Sequence, residues 1–301
     1  MKEKISWAST LIIILLITSS FLYLNYKIYN LELFKQEKII MTNSFSENVE
    51  RIKPAVAMIL AETNRSELPF TGGEYIAMQN KVFSKGTGFI VTEDGYILTA
   101  NHVIRDAKDK IQVGIIQGEN LQFYKAKLIS TNNDSDVALL KIEGNKFPHA
   151  VLGEYDKFKE GMGIGFIGYP LDMNLPITNN GIISGKGTFQ FGKNGEYVYI
   201  YMLNAFINPG NSGGPVFSAD TGEIIGIINA RMNVVDENQF LKLPSEYSPI
   251  MTLGGIDPIG LSVETYNANL RQIGDITQVG IGYSTSIEYG KELLEAALER
   301  R

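Results

Sequence analysis

Ten short runs of apolar residues, each no longer than a strand, recur along this chain with Gly, Asn, Asp or Pro between most of them. They are Gly88–Val91, Tyr96–Ala100, Ile111–Ile116, Leu121–Ile129, Val137–Ile142, Gly163–Ile167, Gly181–Thr188, Tyr197–Leu203, Ile224–Asn229 and Gly280–Ser284. Alternating or continuous apolar runs of this length, bounded by turn residues, fit strands better than helices. Many such strands point to an all-β barrel or sandwich. Thirty glycines supply the turns, and a 44% hydrophobic content over 301 residues is enough for one large domain or two small ones. No internal repeat is evident. Asn48–Ile52 reads as a helical turn and Pro54–Leu60 as the first strand. Thr285-Ser286-Ile287-Glu288 has capping-box spacing ahead of Leu293–Leu298, which predicts a C-terminal helix over about 286–300.

The N-terminus predicts export. No charged residue lies between Lys4 and Lys27, and Leu11–Ile17 is continuously apolar. A spanning helix needs about 20 mostly apolar residues, so 7–26 qualifies as an anchor. Lys2 and Lys4 before it favour residues 1–6 in the cytoplasm and the rest outside. A cleaved signal peptide is the alternative, since the core is short and Thr18-Ser19-Ser20 is small. Trp7 and Tyr23 suit membrane interfaces. Residues 27–42 read as a linker, and a globular domain is expected over 43–301.

Composition excludes several chemistries. With no cysteine there are no disulfides, thiolate nucleophiles or zinc–thiolate sites. Only two histidines occur, far apart, so a catalytic metal is not expected, nor is any other cofactor. A net charge of −6 argues against nucleic acid as a main partner.

What remains is a base, a carboxylate and a hydroxyl in the order His102, Asp136, Ser212. Serine needs a neighbouring base to take its proton, histidine titrates in the right range, and a carboxylate fixes the imidazole. The tetrahedral intermediate of amide hydrolysis also needs N–H donors for its oxyanion. Gly210 and Gly213 beside Ser212 leave amides uncovered, and those of Gly210 and Ser212 are the candidates. Chain order excludes rivals. Gly210-Asn211-Ser212-Gly213-Gly214 fits a nucleophile elbow, but no histidine follows Ser212. The order Asp-His-Ser would use Asp94, which reads instead as a hairpin-turn residue. Asp134 is an alternative to Asp136; His149 reads as a loop histidine.

These residues resemble the HtrA branch of trypsin-fold serine proteases. The resemblance rests on Gly86-Thr-Gly-Phe-Ile-Val, Gly95-Tyr-Ile-Leu-Thr-Ala-Asn-His102, Asp134-Ser-Asp136-Val-Ala-Leu-Leu, Asn208-Pro-Gly-Asn-Ser212-Gly-Gly-Pro and Gly280-Ile-Gly-Tyr-Ser, across about 45–230 and 279–299. It implies a double six-stranded β-barrel, the first over about 54–155 and the second over about 156–285, with the catalytic residues in the cleft between. It also implies protein or peptide substrates and homotrimers joined through the lead-in segment around Phe45. Asn211 before the nucleophile agrees with control that uses no freed N-terminus. Phe206 is expected at the base of an apolar specificity pocket, with Ile227, Ile228 and Asn229 along its wall and small or medium apolar residues preferred. Asn179, Asn180 and Thr188 fall where the family has its activation loop.

The chain departs from the pattern at residues 231–278, where the family has a short loop. The insertion contains Pro244, Pro249 and Pro258 and reads either as a cleft-gating loop or as a surface excursion. Glu62–Phe83 also reads as a long loop, and no PDZ module is expected after the helix. The function expected is a membrane-tethered, HtrA-like serine endopeptidase acting on unfolded, damaged or regulatory proteins. A chaperone-like scaffold with minor proteolysis and a serine esterase are the alternatives.

Overall fold

The computed structural model describes residues 18–20, 22–28, 44–63, 75–78, 81–107, 110–170, 173–190, 195–231, 239–249, 257–276 and 280–300. Residues up to Glu47 form one compact unit and Asn48–Arg301 another. The anchor or signal segment expected at 7–26 and the linker at 27–42 lie largely outside the described residues. No described helix is long and apolar enough to cross a membrane.

The second unit holds two barrels. The first is built from β1 (Val56–Glu62), β3 (Lys81–Ile90), β4 (Tyr96–Ala100), β5 (Ile111–Gln117), β6 (Asn120–Asn132) and β7 (Val137–Ile142). They run in the order β1-β5-β6-β7-β4-β3, and β3 pairs back onto β1 to close the ring. A short strand, β2 (Tyr75–Met78), hangs on the free end of β3. It occupies part of the stretch read from sequence as loop. The second barrel closes in the order β10-β13-β12-β11-β8-β9, from β8 (Gly163–Gly168), β9 (Ile177–Gln190), β10 (Tyr197–Asn204), β11 (Pro215–Ser218), β12 (Ile224–Arg231) and β13 (Ile281–Ser286). Every strand pair within the barrels is antiparallel.

Each barrel is filled by its own side chains, as small barrels are. Ile59, Phe89, Ile97, Leu98, Val113 and Leu139 are fully buried in the first. Phe158, Ile164, Phe166, Tyr201, Val216 and Ile225 cluster in the second. Burying one such side chain stabilises by about 1.5–3 kcal/mol.

A C-terminal helix, Glu288–Leu298, leaves the second barrel and packs back on β6 and β7 of the first. The expected capping box does not form. Ile287 is the N-cap and has no capping side chain; Ser286 Oγ instead accepts the Glu288 N–H at 3.3 Å. Thr285 lies in β13 with its hydroxyl engaged elsewhere. Within the insertion, residues 239–249 and 257–276 are described. They include a 19-residue helix, Pro258–Ile276, where the sequence reading had only loop. Asp257 caps it, accepting the N–H groups of Ile259 at 3.1 Å and Gly260 at 3.0 Å, and proline occupies its first position.

Candidate active site

His102 is the second residue of a short helix, Asn101–Ile104, that follows β4 directly. Burial of Val103 and Ile104 seats the helix on the first barrel. Asp136 ends the turn between β6 and β7, with φ 55. Aspartate tolerates this left-handed conformation better than most residues. Local bonds hold the turn: Ser135 N–H donates to Asn132 Oδ1 at 3.0 Å, and Asn101 N–H to the Asp136 carbonyl at 2.9 Å.

The Asp136 carboxylate accepts three hydrogen bonds. Oδ1 takes the His102 main-chain N–H at 2.8 Å. Oδ2 takes His102 Nδ1 at 2.5 Å and Asn229 Nδ2 at 3.0 Å. With Nδ1–H donating, the imidazole keeps the Nε2 lone pair on its other edge. The rival carboxylates are engaged elsewhere: Asp134 accepts the Glu196 N–H at 3.3 Å, and Asp94 accepts the Thr92 hydroxyl at 2.6 Å within its turn. His149 is exposed, with Nδ1 3.3 Å from the Phe147 carbonyl. Tyr283 lies close enough to sense this site. Burial pushes its phenol up, and the Asp136 charge adds to the shift.

The loop carrying Ser212 joins β10 to β11. Three of its amides are used internally: Asn211 N–H to the Asn208 carbonyl at 3.0 Å, Gly213 N–H to Ile228 at 2.7 Å and Gly214 N–H to Asn211 at 2.9 Å. Among the described residues, the amides of Gly210 and Ser212 meet no acceptor. Gly210 has φ 91. Gly213 has φ 84, and a Cβ there would stand 2.1 Å from the Thr87 carbonyl. Only glycine fits such a place. Ser212 Oγ donates to the Asn229 carbonyl at 3.2 Å rather than to His102. Both polar side-chain atoms of Asn211 are buried and meet no partner among the described residues.

Two further residues organise the site. Thr87 in β3, fully buried, clamps the serine loop from the opposite barrel. Its N–H donates to the Ser212 carbonyl at 2.8 Å and its hydroxyl to the Gly210 carbonyl at 2.6 Å, while Oγ1 accepts the Tyr169 N–H at 2.9 Å. The sequence reading used Gly86-Thr87-Gly88 only as a family marker. A buried hydroxyl between two glycines was the available signal.

Asn229 is the second. The pairing of β12 with β13 shifts between Ile228 and Ala230, which makes Asn229 a bulge. Bulges re-aim side chains next to active sites. Here the amide faces Asp136. Ile227 and Ile228 are fully buried, Ile228 in the barrel core, so neither offers an apolar wall. Phe206 is 63% exposed, so its ring is not the floor of a closed pocket. Its ring edge would lie 3.7 Å from a Cβ on Gly280.

Comparison with known proteins places this arrangement in a family. Residues 86–227 match the trypsin-like peptidase domain. The chain is 46% identical over 149 residues to the "Probable periplasmic serine endoprotease DegP-like" of Pseudomonas fulva (strain 12-X), covering 50% of this chain and 29% of that protein. It is 35% identical over 218 residues to the protein of the same description from Pseudomonas putida (strain GB-1), covering 72% and 41%. The chain therefore spans less than half the length of these relatives. Among solved structures, the HtrA-type protease AlgW with a tripeptide superposes with TM-score 0.58 at 25% identity, covering 85% of this chain and 64% of that one. AlgW with a decapeptide gives 0.59 at 25%, covering 85% and 67%. Double barrel, motif order and relatives agree that the chain carries a trypsin-like peptidase domain of the HtrA/Deg type.

Proposed function

We propose that the chain is a serine endopeptidase acting through His102, Asp136 and Ser212. The observation that carries the reading is the Asp136 carboxylate fastened to both N–H groups of His102, with the acceptor-free amides of Gly210 and Ser212 on the facing loop. Ser212 Oγ attacks the scissile carbonyl carbon and passes its proton to His102 Nε2. The amides of Gly210 and Ser212 receive the oxyanion, each donor supplying about 2.7–4 kcal/mol. His102 gives the proton to the leaving nitrogen as the C–N bond breaks. Water, deprotonated by His102, then hydrolyses the acyl ester and Ser212 regains its proton. Asp136 holds the tautomer throughout. No metal or cofactor takes part.

Before attack, Ser212 Oγ has to rotate off the Asn229 carbonyl and onto His102. That resting bond favours a second reading, a binding or chaperone-like protein whose proteolysis is held low until substrate or a partner turns the serine. Relatives described as periplasmic support an exported domain over 43–301. Residues 7–26 would tether it to the membrane or direct its secretion, and the lead-in segment would join copies into homotrimers. AlgW structures that hold peptides support protein or peptide substrates. The barrel boundaries, the insertion over 231–278 and the oxyanion assignment are part of the same proposal. With Ile227 and Ile228 buried, an apolar pocket would have to draw on Phe206 and on residues not foreseen.

The test is degradation of casein by the purified full chain beside an equally folded Ser212→Ala variant. Degradation by the wild type alone supports the endopeptidase. Equal degradation by both refutes the role of Ser212.

A further inference from the structure

Asn229 holds Asp136 by one end of an amide whose two ends have nearly the same shape. Bulk alone does not decide whether Nδ2 or Oδ1 faces the carboxylate. The decision comes from β13. Thr285, fully buried, donates its main-chain N–H to Asn229 Oδ1 at 3.0 Å. Its hydroxyl lies 2.7 Å from the same Oδ1 and 2.9 Å from the Ser135 carbonyl, and shares its single hydrogen between them. Reversing the amide would set its carbonyl against the Asp136 carboxylate and its NH2 group against the Thr285 main-chain N–H, and would cost Oδ1 its bond from the Thr285 hydroxyl. The same hydroxyl also restrains the peptide leading into Asp136, where the backbone takes its left-handed turn.

We infer that Thr285 is a positioning residue for the reaction proposed above. Its hydroxyl fixes the Asn229 amide and the Ser135–Asp136 peptide together, and so sets where the carboxylate meets His102. Thr285 touches neither the peptide bond nor the reacting atoms. Its effect passes through Asn229 and Asp136, so it belongs to the rate of acylation and not to substrate binding. The inference rests on the serine-protease reading.

A fluorophosphonate probe separates the two. In labelling, Ser212 Oγ bonds to phosphorus, fluoride leaves and His102 takes the hydroxyl proton, so the inactivation rate constant reports the triad and the probe's half-saturation reports binding. The full-length wild type, Thr285→Val, Thr285→Ala and Thr285→Ser are compared, with thermal melting to check the fold. Thr285→Val and Thr285→Ala are expected to lower the inactivation rate constant by at least about tenfold with half-saturation within about twofold, and Thr285→Ser to restore it. A folded Thr285→Val that labels at the wild-type rate overturns the inference. So does an equal loss in Thr285→Ser, which traces the effect to the methyl group. Failure of both hydroxyl-free variants to fold, while Thr285→Ser folds, also overturns it, since the hydroxyl then serves the fold. A wild type that never labels at Ser212 overturns the protease reading itself, and the role of Thr285 with it.

Discussion

Replacing Thr87 with valine removes one hydroxyl from between the barrels and keeps the shape of the side chain. The Gly210 carbonyl loses its donor and the Tyr169 N–H loses its acceptor. Each buried group left unsatisfied costs about 1–3 kcal/mol, so the variant should be about 2–6 kcal/mol less stable. A kinetic effect should accompany it. With its carbonyl released, Gly210 is free to turn at its positive φ, and the oxyanion amides lose their alignment. A complete loss of one donor corresponds to about 10²–10³ in kcat, so a partial loss should cost at least about tenfold. The main-chain bond from Thr87 N–H to the Ser212 carbonyl survives the change, which keeps the loop attached. Urea unfolding measures the stability, and casein turnover together with fluorophosphonate labelling measures the chemistry. Thr87→Ser keeps the hydroxyl and loses one methyl, worth about 0.8 kcal/mol, with kcat nearly unchanged. A Thr87→Val protein within about 0.5 kcal/mol of the wild type and equally active would refute the clamp, because surface-like substitutions stay within that range.

Asp136→Asn keeps the turn, since asparagine tolerates the left-handed backbone, but removes the charge facing the imidazole; kcat should fall by about 10⁴ while urea unfolding changes little. Gly213→Ala forces a Cβ onto the Thr87 carbonyl at a positive φ, and the melting temperature should drop by at least about 6 °C, the equivalent of ~3 kcal/mol in a domain this size. Tyr169 is fully buried, and its hydroxyl meets no partner among the described residues. Burial pushes its phenol up to about 12. The folded state therefore keeps a proton that the unfolded state gives up from about pH 10. This contribution is fully present below pH 10 and is lost as pH rises to about 12, by about 3 kcal/mol. Tyr169→Phe should flatten that alkaline loss and leave stability at neutral pH equal or higher; a variant clearly less stable at pH 7 would show that the hydroxyl has a partner.

Most of the strand framework was legible because burial in small barrels leaves continuous apolar runs. Tyr96–Ala100 and Val137–Ile142 fall where the runs predict. Two strands were missed for opposite reasons. Tyr75–Met78 is a four-residue edge strand, too short to show a period, and Pro215–Ser218 begins with proline inside a motif already read for its chemistry. The insertion helix was legible and overlooked: Asp257-Pro258 is a cap followed by a first-turn proline, and proline was taken only as a loop marker. At the site, His102, Asp136 and Ser212 stood out as candidates because each carries a distinctive neighbourhood. Asn229 was assigned to the pocket wall only because the family resemblance, carried over position for position, implied it. A one-residue bulge, which no alternation rule foresees, sends it to Asp136 instead. Thr87 and Thr285 were passed over because a threonine inside a strand looks like any β-former until the hydrogen-bond partners across the barrels are known.

The position of β13 also has a consequence in time. It follows β12 in sequence, yet it sits between β10 and β12 in the ring. About fifty residues separate the end of β12 from the start of β13, and at the usual 5–20 residues per second their synthesis takes about 3–10 s. Throughout that interval the nascent polypeptide already contains its histidine, aspartate and serine, but the second barrel is an open sheet and the Asn229 amide has no Thr285 to orient it. The topology therefore defers closure of the second barrel, and with it the contact between Thr285 and Asn229, until β13 has been made.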